Sequence, residues 1–158
     1  MKNFFTHFKS LFQRFILLFV ILLTFFVLAG CSGNTTTQKD LNKIAPISKL
    51  PVSVQNAPTT VKEAYQFSLS NPDALKNVPC YCGCDAAGHT SNYSCYVKEV
   101  KANGEVIFDQ HALGCSICVD IAQDVITMDK DGKTPKEIRT AIDQTYSQYG
   151  PSNMPPVQ

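Results

Sequence analysis

The chain has 158 residues, of which seven are cysteine and three are histidine, and its formal net charge is +1. Three of its 14 basic residues lie within the first 14 positions, so the rest of the chain holds eleven basic and thirteen acidic residues. One small domain with a slightly negative charge is a poor candidate for binding nucleic acid, and we expect no nucleic-acid partner.

The N-terminus has the pattern of an export signal. Its first 14 residues include no acidic residue, and residues 15–28 form an uncharged apolar run of 14 residues. Such a run is short for a membrane span and typical of a signal peptide. It ends in Leu28-Ala29-Gly30-Cys31, which resembles the lipobox of bacterial lipoproteins, where the cysteine is lipidated and becomes the first residue of the mature protein.

We therefore predict a lipoprotein signal peptide over residues 1–30, lipidation of Cys31, and a mature chain anchored by lipid to the extracytoplasmic face of the cell membrane. The alternative is a retained N-terminal anchor helix, which gives the same location. This compartment permits disulfides, and six cysteines, an even number, remain beyond Cys31.

The rest of the chain divides into three parts by composition. Residues 31–58 are rich in Thr, Ser, Asn, Pro and Lys without a sustained period, which predicts a flexible tether. Residues 59–150 are predicted to form the folded domain, and residues 151–158 a disordered tail. The expected fold is mostly α-helical, with one small β-hairpin and a cysteine-rich loop packed on the helices.

The first half of the domain should hold one helix and the hairpin. Apolar residues at helical spacing predict a helix over residues 60–70, which Asn71-Pro72 ends. The Asn103-Gly104 pair between residues 95–100 and 105–108 predicts a β-hairpin.

Two further helices are expected in the second half. The first runs from a cap at Asp109 to about Met128 and carries an apolar stripe. The second begins at Thr134-Pro135-Lys136-Glu137, which combines a capping threonine, a proline at the first helical position and a glutamate able to complete a capping box. Gly150-Pro151 ends it.

The chemistry of the chain is concentrated in the 39 residues from 80 to 118, which hold six cysteines and two histidines. Thiolates and imidazoles are ligands for soft and borderline transition metals. The candidate metal ligands are Cys80, Cys82, Cys84, His89, Cys95, His111, Cys115 and Cys118.

Spacing indicates how the later ligands converge. On a helix that starts at Asp109, the side chains of His111, Cys115 and Cys118 would point within about 60° of one another and share one helix face.

The earlier ligands lie in a loop. In an extended chain, successive members of the triplet would be about 7 Å apart, near the outer limit for a disulfide. Gly83 would allow Cys82 and Cys84 to approach one centre. Cys95, expected at the start of the first strand, could face either cluster. Carboxylates expected to contact the histidines are Asp85, Glu105 and Asp109.

A sulfur-rich ligand set of this kind favours Cu(I), with Zn²⁺ as the alternative. Cys-x-Cys spacing suits low-coordinate Cu(I), whereas structural zinc sites more often show two Cys-x-x-Cys pairs, and the sequence has one. It has no nucleophile elbow, phosphate loop or paired set of catalytic carboxylates. We therefore predict a protein that captures, buffers or transfers a metal ion, and not an enzyme.

Five short motifs stand in order along this region: Pro79–Cys84, Gly88-His89, Cys95, Asp109-Gln110-His111-Ala112 and Cys115-x-x-Cys118. Together they resemble the bacterial family named for its PCYCGC motif. The similarity covers about residues 79–146, and the hexapeptide is highly specific. The family is known as small lipoproteins of Gram-positive bacteria without an established activity. The resemblance implies a shared cysteine/histidine core and a surface location.

Two other interpretations stay open. The six cysteines could form three disulfides that stabilise an exported structural or interaction domain. If Gly114 instead of Asp109 caps the helix, Cys115 falls at the first helical position, where the helix dipole favours a thiolate. Cys115 and Cys118 could then act as a thiol redox pair.

Overall fold

A computed structural model of the chain describes Arg14 and residues 44–156. The predicted signal peptide, apart from Arg14, and the predicted lipidation site Cys31 lie outside the described residues. Among the helices that are described, none is both long and apolar enough to cross a membrane.

The described part of the chain is mainly helical with one antiparallel hairpin, which confirms the predicted fold class. Its α-helices are α1 (Val52–Gln55), α2 (Thr59–Ser70), α3 (Pro72–Lys76), α4 (Ser116–Lys130) and α5 (Pro135–Tyr146). The strands are β1 (Val97–Val100) and β2 (Val106–Phe108). Short 3₁₀ turns cover Ile47–Lys49, Cys84–Ala87, Asn92–Cys95 and His111–Leu113.

Helix α4 is the centre of the core. It packs against α2, α3 and α5. Its Ile121, Ala122 and Val125 are completely buried, and these positions recur at the spacing of one helix face. Burying an isoleucine or valine stabilises the fold by roughly 1.5–3 kcal/mol each, so this face holds the helix in position.

Two predicted helix boundaries are confirmed. Helix α2 ends where the backbone N–H of Asn71 donates to the carbonyl of Phe67, and Pro72 then opens α3. Helix α5 starts with the predicted capping box: the Glu137 N–H donates to Thr134 Oγ1 at 3.3 Å, and the Thr134 N–H donates to the Glu137 carboxylate at 2.8 Å. Both signals are local in sequence, which is why the sequence alone predicts them.

The hairpin is present, but Cys95 is not on it. The strands β1 and β2 pair antiparallel with Val97 opposite Phe108. Cys95 ends the preceding 3₁₀ turn, because the backbone N–H of Tyr96 bonds the carbonyl of Tyr93 at 3.0 Å and closes that turn before the strand begins. The side chain of Cys95 is therefore directed into the core, where it is completely buried.

The predicted helix from Asp109 starts later than expected. The Asp109 carboxylate accepts the His111 backbone N–H at 2.7 Å, and the chain closes the 3₁₀ turn His111–Leu113 there. Gly114 and Cys115 then leave helical geometry, with Cys115 extended at φ −120° and ψ 100°. Asp109 consequently caps a short turn, and α4 begins at Ser116 with Cys115 as its N-cap residue.

The tether and the tail also differ from prediction within the described range. Residues 47–49 and 52–55 are helical, because the apolar side chains of Leu50 and Val54 pack into the core. Helix α5 ends at Tyr146 and not at Gly150. Residues 151–156, predicted to be disordered, run back over the cysteine loop, where Asn153 bonds the backbone of Cys80.

A glycine-to-alanine pair tests this packing of the tail. A Cβ at Gly150 would lie 2.8 Å from the backbone oxygen of Tyr81, whereas a Cβ at Gly114 would meet nothing closer than the His111 oxygen at 4.0 Å. We expect Gly150→Ala to lower the free energy of unfolding of the full chain by about 1–3 kcal/mol, because backbone atoms must shift. Gly114→Ala should leave it nearly unchanged. Urea unfolding followed by circular dichroism measures both, and equal midpoints would contradict the packing.

Candidate metal centre

The six cysteines from Cys80 to Cys118 are free thiols in the structure. Four of their sulfurs form a connected network. The Cys80 sulfur lies 3.1 Å from that of Cys82, 3.3 Å from that of Cys118 and 3.8 Å from that of Cys95. The Cys118 sulfur lies 3.6 Å from Cys82 and 3.2 Å from Cys95.

This arrangement differs from a set of disulfide pairs. A disulfide joins two sulfurs at about 2.05 Å and satisfies each sulfur once. Here the Cys80 and Cys118 sulfurs each have three sulfur neighbours within 3.8 Å. A metal ion needs several donors converging on one point, and this network supplies them.

Sulfur and imidazole donors that lie within 4.8 Å of one another fall into three groups. We name them the first, second and third donor groups. The first consists of Cys82, His111, Cys115 and Cys118; the second of Cys80, Cys84 and Cys95; the third of Cys84, His89 and His111. Each of the eight predicted ligands belongs to at least one group.

The loop after α3 places its cysteines through two glycine turns. Gly83 has φ +75° and Gly88 has φ +81°, a conformation that glycine adopts without steric cost. They bracket the 3₁₀ turn Cys84–Ala87 and reverse the chain on either side of it. Cys82 thereby belongs to the first donor group, and Cys84 belongs to the second and the third.

The Cys-x-x-Cys pair lies at the N-terminus of α4. Cys118 is completely buried in the first turn of the helix. Its carbonyl accepts hydrogen bonds from the Tyr96 hydroxyl at 2.7 Å and from the Asn92 side-chain amide at 3.2 Å. These two hydrogen bonds from buried side chains therefore hold the backbone of Cys118, and with it the position of its sulfur.

His111 reaches the same group by a different route from the one predicted. It lies in the 3₁₀ turn before α4, so it does not share a helix face with Cys115 and Cys118. Its Nε2 lies 3.4 Å from the Cys82 sulfur. The predicted convergence of these residues is found, but a turn produces it and not helical periodicity.

His89 is held between a thiol and a carboxylate. Its Nδ1 lies 3.6 Å from the Cys95 sulfur, and its Nε2 lies 3.5 Å from Asp109 Oδ2. A histidine that binds metal commonly directs its other ring nitrogen to a carboxylate, which fixes the tautomer and the ring orientation. Of the three predicted carboxylates, Asp109 has this role, whereas Glu105 pairs with Lys101 and Asp85 is exposed.

Asn153 is a positioning residue that sequence analysis missed. Its side-chain oxygen accepts the Cys80 backbone N–H at 2.8 Å, and its side-chain amide donates to the His89 carbonyl at 2.9 Å. It thus ties together two ligand-bearing parts of the loop. A polar residue in a tail rich in proline and serine gives no signal of this contact in a single sequence.

The thiols influence one another's protonation. Hydrogen bonds from Cys118 and then Cys95 hold the pKa of Cys80 well below its usual range. The hydrogen bond to Cys80 correspondingly raises the pKa of Cys118, and burial raises the pKa of Cys84 to about 11. The cluster therefore forms one thiolate readily and further thiolates only when positive charge compensates them.

A surface pocket of about 550 Å³ opens onto the imidazole side of the cluster. His89, Asp109 and His111 are among its lining residues. Cys80, Cys84 and Cys95 are buried and do not line it, so the pocket exposes the imidazoles of the cluster to solvent.

Comparison with known proteins identifies the family of the chain. A family model described as "protein of unknown function with PCYCGC motif" matches residues 20–157. The chain belongs to this family. None of the curated proteins matches the chain, and neither does any solved structure.

Membership of the PCYCGC-motif family confirms the resemblance found in the sequence, and its description gives no function. What the structure adds is that cysteines of the motif lie close to Cys118 of α4 and to both histidines. The Cys/His cluster of this family member could hold a metal ion.

Replacing Asn153 should loosen the loop. Asn153→Ala removes both side-chain hydrogen bonds and leaves the Cys80 N–H without its partner. We expect the free energy of unfolding to fall by about 1–3 kcal/mol. Gln148→Ala is the control, because Gln148 is exposed and its amide bonds only the local carbonyl of Thr145. Urea unfolding of the metal-free full chain measures the stability of both variants. An Asn153→Ala midpoint equal to that of the wild type would refute the positioning role of Asn153.

Proposed function

We propose that this protein is a lipid-anchored, extracytoplasmic protein that binds a thiophilic transition metal, with Cu(I) as the preferred ion, and captures, buffers or passes it on. The observation that supports this is the convergence of six thiols and two imidazoles in one largely buried cluster. The eight ligands are Cys80, Cys82, Cys84, His89, Cys95, His111, Cys115 and Cys118.

Ligand softness supports copper over zinc. Sulfur atoms outnumber imidazole nitrogens in the first and second donor groups. Thiolate-rich sites of low coordination suit Cu(I), whereas structural zinc generally takes four ligands in closed tetrahedral geometry. The first donor group, with three sulfurs and one nitrogen, is also chemically suitable for Zn²⁺, so zinc is the alternative ion.

Access to the cluster supports binding and exchange of an ion over catalysis. The pocket is lined by both imidazoles, whose nitrogens lie 3.4 Å from the Cys82 sulfur and 3.6 Å from the Cys95 sulfur. An ion bound by an imidazole would therefore have a thiol within reach. These neighbouring donors suit exchange of a metal ion, and we assign the protein no reaction.

A thiol redox function is the second candidate. The N-cap position of Cys115 places a Cys-x-x-Cys pair at the N-terminus of α4, where a helix dipole favours a thiolate. Against it, Cys118 is completely buried and contacts the sulfurs of three other cysteines outside the pair. A redox pair needs one accessible thiol and one partner, and these extra contacts favour metal binding.

Anaerobic titration of the full chain tests the metal and its identity. We expect Cu(I) to bind, to displace Zn²⁺ in competition and to protect the thiols from alkylation, because soft sulfur ligands prefer it. Cys115→Ser should weaken binding at least about tenfold through loss of a ligand. Ser116→Ala, the neighbouring change that removes no sulfur, should leave the affinity unchanged.

The other interpretations give different results on the same sample. A chain with no bound metal and three disulfides would favour a disulfide-stabilised domain. A metal-free chain with a reversible two-electron couple of Cys115 and Cys118 would favour the redox function. Retention of Zn²⁺ against Cu(I) would assign the site to zinc.

Substitution of Cys31 tests the proposed location. Cys31→Ala removes the residue expected to carry the lipid, so the chain should no longer incorporate labelled palmitate and should not be processed after Gly30. Expression in a Gram-positive host with fractionation and metabolic labelling measures this. A Cys115→Ala chain should be labelled normally. Equal labelling of the Cys31→Ala and wild-type chains would rule out lipidation at this residue.

A further inference from the structure

Among the four networked cysteines, Cys80 and Cys118 each have three sulfur neighbours within 3.8 Å, whereas Cys82 and Cys95 each have two. Cys80 belongs to the second donor group, yet its sulfur lies 3.1 Å from Cys82 of the first. Cys118 belongs to the first donor group, yet its sulfur lies 3.2 Å from Cys95 of the second. The two groups therefore meet along the Cys80–Cys118 pair, whose sulfurs are 3.3 Å apart.

The Cys80 and Cys118 sulfurs form the shared edge of two triangles of sulfur atoms. Cys82 completes one, at 3.1 Å from Cys80 and 3.6 Å from Cys118. Cys95 completes the other, at 3.8 Å from Cys80 and 3.2 Å from Cys118. Since Cys82 and Cys95 belong to different donor groups, each triangle offers its own three-coordinate position.

The shared edge fits two bridged ions better than one. A single tetrahedral ion with bonds of about 2.3 Å holds its sulfurs about 3.8 Å apart. If two sulfurs 3.3 Å apart each bind both ions at about 2.3 Å, the sulfur–metal–sulfur angle at each ion is roughly 90°. The two ions then lie roughly 3 Å from each other.

We propose that the cluster binds two metal ions bridged by the thiolates of Cys80 and Cys118. Cys82 completes the three sulfur ligands of the first ion, and Cys95 completes those of the second. The remaining members of the donor groups lie beside these positions as exchangeable donors: His111 and Cys115 beside the first, and Cys84 and His89 beside the second. This rests on the proposed function, because it concerns the same metal and the same residues. Each coordinating thiol loses its proton to solvent, and no oxidation state changes.

Charge also favours a pair of ions. The sulfurs of Cys80, Cys95 and Cys118 are in residues that are almost completely buried, where uncompensated negative charge is costly. One univalent ion among four thiolates would leave three negative charges uncompensated. A second univalent ion bound by the same four thiolates lowers this excess to two.

Stoichiometry of the full chain at saturation is the first test. The chain, purified anaerobically in detergent, is titrated with Cu(I) and analysed by native mass spectrometry and X-ray absorption. We expect two ions per chain and a metal neighbour at roughly 3 Å. One ion per chain, or two without a metal neighbour, would overturn the bridged pair and leave the proposed function standing. Absence of binding would overturn both.

A matched pair of variants tests the bridging role. Both cysteines of the Cys-x-x-Cys motif lie at the start of α4. The Cys118 sulfur lies 3.2 Å from Cys95 of the second donor group, whereas Cys115 belongs to the first donor group alone. Cys115→Ser should still take up two ions at saturation, whereas Cys118→Ser should take up no more than one and lose the metal–metal signal. Two ions in both variants would overturn the bridge. Cys80→Ser provides the same test if Cys118→Ser fails to fold.

Discussion

The placement of the Cys80 and Cys118 sulfurs, 3.3 Å apart, is the constraint on which the cluster of metal donors depends. One sulfur belongs to the loop after α3 and the other to the first turn of the central helix, 38 residues later. A thiol is a weak hydrogen-bonding group, so sulfur contacts alone cannot set these positions. The backbone does so: Asn153 bonds Cys80, while Tyr96 and Asn92 bond the carbonyl of Cys118.

These same contacts couple the cluster to folding. The segment between α3 and β1 contains no α-helix or strand, only two 3₁₀ turns, and it carries four of the six clustered cysteines. Its order depends on what the sulfurs and the tail contact. In a small domain, binding energy at such a site adds directly to the stability of the fold, because the unfolded chain does not present the ligands together. The loop is therefore the part of the domain that an ion would stabilise most.

Sequence analysis succeeded where a signal is local and failed where the contact is distant. The capping box at Thr134 and Glu137 involves neighbouring residues, and it fixed the start of α5 correctly. An aspartate such as Asp109 can accept a backbone N–H at the start of a helix or of a short turn. The local sequence pattern could not tell which of the two follows it. The set of eight donors was visible from residue type. Their division into groups was not, because it depends on the turns at Gly83 and Gly88 and on Asn153, which lies 73 residues from Cys80.

The exposure of the donors differs across the cluster, and this bears on how an ion could be both held and released. The second donor group, with Cys80, Cys84 and Cys95, is entirely buried. In the first group Cys82 and Cys115 are half-buried, and the nearby pocket reaches His89 and His111. Exchange of a ligand on a metal needs room for an incoming donor, and only the first group provides it. If two ions are bound as proposed, a buried position beside an accessible one would combine firm retention on one side with transfer on the other.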